Sequence, residues 1–172
     1  MKTESPGFTR EDVEGFVTDY LGRERGTLTA RLRRVLDDVD TLVSDITSRT
    51  ADGSDDSWNA IEVLAHMATT AHFFGRLAHM VASQREIGDL LPMLQMRDAV
   101  TEEAAQQGAS ALVQQLRENV ERTIAFVEKT GPMDLRNPFD YVGIQMTAED
   151  LIRVPLCAHL ESHVEQIREA LG

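Results

Sequence analysis

Residues 27–48 read TLTARLRRVLDDVDTLVSDITS. Within them Leu28, Leu32, Val35, Leu36, Val39, Leu42, Val43 and Ile46 recur mostly at spacings of three and four. That period matches the 3.6-residue turn of an α-helix, so these side chains form one apolar stripe. Arg31, Arg33, Arg34, Asp37, Asp38 and Asp40 fall mostly on the other faces. A single helix cannot bury such a stripe and needs other elements packed on it.

Working outward, the chain supplies those partners. A second helix is predicted to open at Asp56 or Ser57, both good caps, and to carry Trp58, Ile61, Leu64, Ala65, His66, Phe73, Leu77 and Met80 to near Ser83. A third runs from about Ser110 to Lys129 through Leu112, Val113, Leu116, Val120, Ile124 and Val127, and Gly131-Pro132 ends it. The last opens with Thr147-Ala-Glu-Asp150, shaped like a capping box, and continues to the C-terminal end through Leu156, Leu160, Val164 and Ile167. Pro155 should bend or loosen it one turn before His159.

The segments between are read as follows. Residues 50–57, TADGSDDS, form a loop, and residues 131–146 form another with a little extended structure. Residues 84–109 hold a short helix or packed loop, with Pro92 interrupting the apolar run from Leu90 to Met96. Residues 1–8 form a loose tail. Thr9-Arg-Glu-Asp12 then caps a short helix that reaches about Leu21 and stops near Gly22. The expected fold is a single all-α domain over residues 1–172: a four-helix bundle with an additional short N-terminal helix.

Composition narrows the function classes. Aromatic residues make up only 5%, so Leu, Val, Ala and Met must build most of the core, which suits helix-on-helix packing. The formal net charge of -12 repels phosphate backbones and anionic lipid surfaces, so neither nucleic acid nor membrane is expected as a partner. No run approaches the length of a transmembrane span. The opening MKTESPGFTREDVEGF lacks the apolar stretch of a signal peptide. The lone cysteine, Cys157, cannot form an internal disulfide. These features together predict a cytoplasmic protein and say nothing positive about a small-molecule substrate.

The sharpest local motif is His159-Leu-Glu-Ser-His163. Residues four apart stand one above the other on a helix, so the two imidazoles can share one metal ion. The neighbouring Leu156, Leu160, Val164 and Ile167 put the pair on or beside the apolar face, where imidazoles need a polar partner. Two metal motifs are excluded. In zincins the glutamate directly follows the first histidine, whereas Glu161 lies about 200° around the helix and points away. The paired Glu-x-x-His of di-iron bundles is missing, so one ion is expected rather than two. His66 sits mid-helix among Leu64, Ala65 and Phe73, where a histidine by itself is more often a core residue than a ligand. His72 and His79 share another face and read as solvated or interface residues.

The run Trp58-Asn-Ala-Ile-Glu62-Val-Leu64-Ala-His66-Met67, followed by His159-x-x-x-His163-x-x-Gln166-Ile167, resembles the DinB/YfiT-like superfamily. That superfamily includes thiol-dependent S-transferases and a mycothiol-dependent maleylpyruvate isomerase. The resemblance covers the second and last helices by motif and the others by pattern. It implies a four-helix bundle holding one metal ion through His66, His159 and His163. It also implies an enzyme that moves a low-molecular-weight thiol such as mycothiol onto an electrophile, or isomerises a substrate with thiol assistance. A non-catalytic, stress-related metal-binding protein is the alternative. Relatives often pair, so a homodimer is expected, with Leu90–Met96 as a candidate apolar contact. Where relatives often carry an acid about one turn after the first histidine, this chain has Thr69, Thr70 and Ala71.

Imidazole ligands suit Zn²⁺ or Ni²⁺ first, then Mn²⁺ or Fe²⁺. Glu62, one turn before His66, is read either as a partner for an imidazole N–H or as a surface helix-former. Trp58 is read as a core anchor, Cys157 as a buried structural thiol, and Arg136 and Arg153 as candidate carboxylate binders.

Overall fold

A computed structural model describes residues 10–48 and 58–172. Its elements are α1 (Arg10–Ser48), α2 (Ala60–Ala82), α3 (Leu91–Ala105), α4 (Ala109–Lys129), a 3₁₀ turn (Asp134–Arg136), strands β1 (Pro138–Tyr141) and β2 (Ile144–Thr147), then α5 (Ala148–Leu151), a π-helical stretch (Ile152–Ala158) and α6 (His159–Leu171). Four helical columns close into a ring. α1 packs on α4 and α6, and α2 packs on α4 and α6 from the other side. α3 lies outside the ring against α2. The predicted all-α bundle is therefore the fold.

The stripe of residues 27–48 does what its spacing demands. Leu28, Leu32, Val35, Leu36, Val39 and Ile46 are all buried, and Leu42 packs at the margin. They meet Leu112, Leu116, Val120 and Val127 of α4 and Leu160, Val164 and Ile167 of α6 in one continuous core.

The short separate helix ending near Gly22 is a correction: α1 runs unbroken from Arg10 to Ser48. A glycine ends a helix when it takes the left-handed conformation, and neither Gly22 nor Gly26 has positive φ. Each then costs at most about 1 kcal/mol relative to alanine, which a long packed helix absorbs. The cap at Thr9, the tail at 1–8 and the loop at 50–57 lie outside the described residues.

The start of α2 is also corrected. Asn59 is the cap, not Asp56 or Ser57. Its side-chain oxygen accepts from the amides of Ile61 and Glu62, each at 3.0 Å, and its own amide donates to Glu62 Oε2 at 2.8 Å. Pro92 does not interrupt the next segment. It stands in the first turn of α3, where its missing N–H has no intrahelical partner to lose, and the helix extends for 15 residues. Leu90 turns into the core while Met96 is exposed. α4 starts one residue before the expected Ser110, after Gly108 at φ 83°.

The extended structure between α4 and α5 is a hairpin pairing Pro138 with Thr147 and Tyr141 with Ile144. Val142 and Gly143, both at positive φ, make its two-residue turn. Thr147 then caps α5 as expected: Asp150 N donates to Thr147 Oγ1 at 3.1 Å and Thr147 N donates back to Asp150 Oδ2 at 2.9 Å.

Pro155 produces a π-helical stretch rather than a simple bend. Proline cannot donate to the carbonyl four residues back, and its ring clashes there. Widening the turn relieves both problems. The buried residues record the change of period: Leu151 to Leu156 and Ile152 to Cys157 are five apart, after which Leu156, Leu160 and Val164 return to four. The extra residue re-aims everything beyond it, His159 and His163 included.

Among the described residues no helix is long and apolar enough to cross a membrane.

Candidate metal centre

α2 and α6 bring three histidines together across their seam. His66 Nε2 lies 3.0 Å from His159 Nε2, and His163 Nε2 lies 3.0 Å from the same atom. One ring nitrogen from each of the three falls within 4.8 Å of the others. His66 is buried, while His159 and His163 are half-buried at the rim.

The donor set fits a cation. A single proton between ring nitrogens serves one pair of lone pairs, whereas an ion at the centre serves all three. Bonds of about 2.0–2.1 Å in a tetrahedral arrangement hold ligand nitrogens about 3.3 Å apart, so the two 3.0 Å contacts to His159 need to open by a few tenths of an ångström while His66 and His163 draw together from within 4.8 Å. Three protein ligands on a partly exposed rim leave room for a further ligand, as open metal sites require.

Two neighbours prepare the histidines for that role. His163 Nδ1 donates to Gln166 Oε1 at 2.8 Å, which leaves Nε2 with its lone pair facing His159. Burial pushes the His163 pKa down, against the opposing pull of Gln166, which favours the neutral ring that ligation needs. The hydroxyl of Thr70, fully buried one turn after His66, lies 3.3 Å from His66 Nε2. The signals for both residues were their spacings, four from His66 and three from His163, which keep them on the same helix face.

The other sequence-derived candidates divide. Glu62 is engaged in the capping box at the head of α2. Trp58 is not a core anchor: it is 42% exposed, with its ring centroid 4.8 Å from that of His66. It covers the buried ligand candidate from the solvent side. Glu161 points away from the histidines, as its helical angle required. Arg31 grips it with two bonds, Nε to Oε1 at 2.7 Å and Nη2 to Oε2 at 2.6 Å, and holds its pKa below the ordinary range. Cys157 is fully buried, its thiol set to donate to Leu28 O at 3.6 Å. Burial pushes that thiol up to about 11, so it is a poor nucleophile. Arg153 does bind carboxylates, but internal ones: Glu149 at 2.7 Å and Glu24 at 2.8 Å, and Arg136 joins Glu149 at 3.2 Å. His72 is exposed and His79 half-buried against Phe126, away from the triad.

No curated protein and no solved structure matches the chain. A family model described as DinB superfamily matches residues 26–167, a span that holds all three histidines and the helices that carry them. The chain belongs to the DinB superfamily, and its three-histidine cluster and helical bundle fit a metal-binding member of it.

Proposed function

We propose that this protein binds one divalent metal ion, Zn²⁺ or Ni²⁺ before others, through His66, His159 and His163, and that the loaded protein transfers a low-molecular-weight thiol such as mycothiol to an electrophile or uses it to assist an isomerisation. The observation that carries the reading is the convergence of three Nε2 atoms at a half-exposed seam, one of them held in its ligating tautomer by Gln166. When bound, such an ion supplies a Lewis acid that favours the deprotonated form of a thiol at neutral pH. The protein's own residues do the rest. His66 and Thr70 form a buried floor, and Trp58 shields one side from water. The sulfur forms its new bond to the electrophilic carbon as the leaving group departs with the thiol's proton.

A second reading, a metal-binding protein without turnover, draws on one specific observation. The carboxylates nearest the histidines in sequence are already engaged: Glu62 in a helix cap, Glu161 with Arg31 and Glu165 with Arg168. None of the three is free to shuttle protons. The protein is expected in the cytoplasm, as a homodimer, acting on a small molecule.

Metal analysis of the purified protein tests the site, and loading with Co²⁺ tests the thiol. One ion per chain and a sulfur-to-cobalt charge-transfer band on adding a thiol support the enzyme reading. Metal binding without the band, and without activity toward electrophiles in any metal form, leaves the binding protein. No uptake of Zn²⁺, Ni²⁺ or Co²⁺ overturns both.

A further inference from the structure

The opposite side of α2 carries a different feature. Between α2 and α4 runs a groove of about 680 Å³, within the range of small-molecule sites. Its walls carry His72 and Arg76 from α2 and Arg122 and Lys129 from α4. No aspartate or glutamate lines it among the described residues. The chain has 29 acidic residues against 17 lysines and arginines, so an acid-free groove with three fixed cations runs against its composition.

Ion pairing sharpens the contrast. Arg31, Arg33, Arg117, Arg136, Arg153 and Arg168 are all held by carboxylates. Among the described residues Arg76, Arg122 and Lys129 take part in no such pair; the same holds for Arg23, Arg25, Arg34 and Arg85, but those four do not line this groove. Arg122 reaches only the neutral Asn119 Oδ1, at 3.4 Å. The floor is apolar and tight. Gly75 faces Thr123 so closely that a Cβ would come within 2.3 Å of its Oγ1, and Phe126 presents its ring beside His79. None of the three clustered histidines lines the groove.

We propose that the α2–α4 groove binds a small organic anion, a carboxylate or phosphate on a flat apolar body. The guanidinium groups of Arg76 and Arg122 would clamp the anionic head in the geometry that favours planar, two-point recognition. The body would lie over Gly75 and Phe126. Lys129 adds a less directional charge at the far end.

The test is an NMR titration of the full chain with benzoate and phenyl phosphate, with benzyl alcohol as the neutral control. The expected result is saturable shifts confined to residues 71–83 and 119–130 with one or both anions and none with benzyl alcohol. Whichever anion binds names the head group. Arg122→Gln, an exposed position, should weaken binding about tenfold with melting temperature unchanged. Lys129→Gln should weaken it less. Shifts that fail to saturate, that spread over the whole surface, that occur equally with benzyl alcohol, or that survive Arg122→Gln overturn the proposal. So does a change of the same resonances on simple dilution, which would identify a second copy of the chain as the occupant.

Discussion

The two sides of α2 make an instructive pair. On the α6 side, His66 and Thr70 are buried, and their polar atoms meet other polar atoms within 3.0–3.3 Å. On the α4 side, His72 and Arg76 are exposed and line an open groove. The same helix carries both, and each side presents a histidine. Phase decides the outcome. Six residues separate His66 from His72, about 240° of helix, so one faces the seam with α6 and the other does not. A histidine becomes a ligand candidate when a second helix delivers partners to it. Without them it becomes a groove wall.

The largest effect expected from breaking this contrast comes from His159→Ala. His159 Nε2 is the atom both other histidines approach. Wild-type protein at a free metal concentration one hundred times Kd gains about 2.7 kcal/mol of stability. The variant should gain almost none, whereas His72→Ala should retain the full gain. Thermal melts with and without Zn²⁺ or Ni²⁺ read both.

Gln166→Ala asks whether the α6 side depends on the tautomer of His163. Loss of the Nδ1–H acceptor should weaken metal affinity about 10- to 100-fold, with Gln166→Glu restoring much of it, measured by competition with a chelator of known affinity. A variant that binds metal as tightly as wild type would reduce Gln166 to a bystander.

Gly75→Ala probes the α4 side by packing alone. The new Cβ would meet Thr123 Oγ1, which is held in place by its bond to Asn119 O at 3.0 Å. Overpacking of about 1–3 kcal/mol should outweigh the helix-propensity gain of about 1 kcal/mol, so denaturant midpoints should fall. Thr123→Ser in the same background, which can turn its hydroxyl aside, should recover part of the loss. Metal uptake should not change, because the triad lies across the helix.

The smallest effect is expected where both sides share a support. Asn59→Ala removes the cap that starts α2 and the reciprocal bond from Glu62. It should cost about 1 kcal/mol of stability, seen in urea melts. A larger loss confined to the metal-loaded form would mean that Asn59 also positions Trp58 over His66.

Much of this was legible along the chain. The stripe at 27–48, the capping box at Thr147 and the apolar face of α4 are local periodicities, and local periodicity is what a helix enforces. Glu161's turn away from the histidines followed from its angle alone. Gly22 misleads because a glycine ends a helix only when its backbone turns left-handed, and Gly22 has no positive φ. Asp56, Ser57 and Asn59 are all good caps in isolation, and the reciprocal partner at Glu62 singles out Asn59.

By itself, then, the sequence determined the helical period, the all-α bundle, the His-x-x-x-His pair one turn apart and, through its motifs, the family. Tertiary structure decided what a period cannot express. It set the phase of α6, because Pro155 widens one turn before His159. It brought His66 to within 3.0 Å of His159 across 93 residues of chain, and it gave Trp58 the outside of that site instead of the core. It also left Arg76, Arg122 and Lys129 facing a shared groove while six other arginines found carboxylates. The reason is the same in each case. Helical spacing relates residues on one helix, whereas the relation between helices is set by which side chains pack between them.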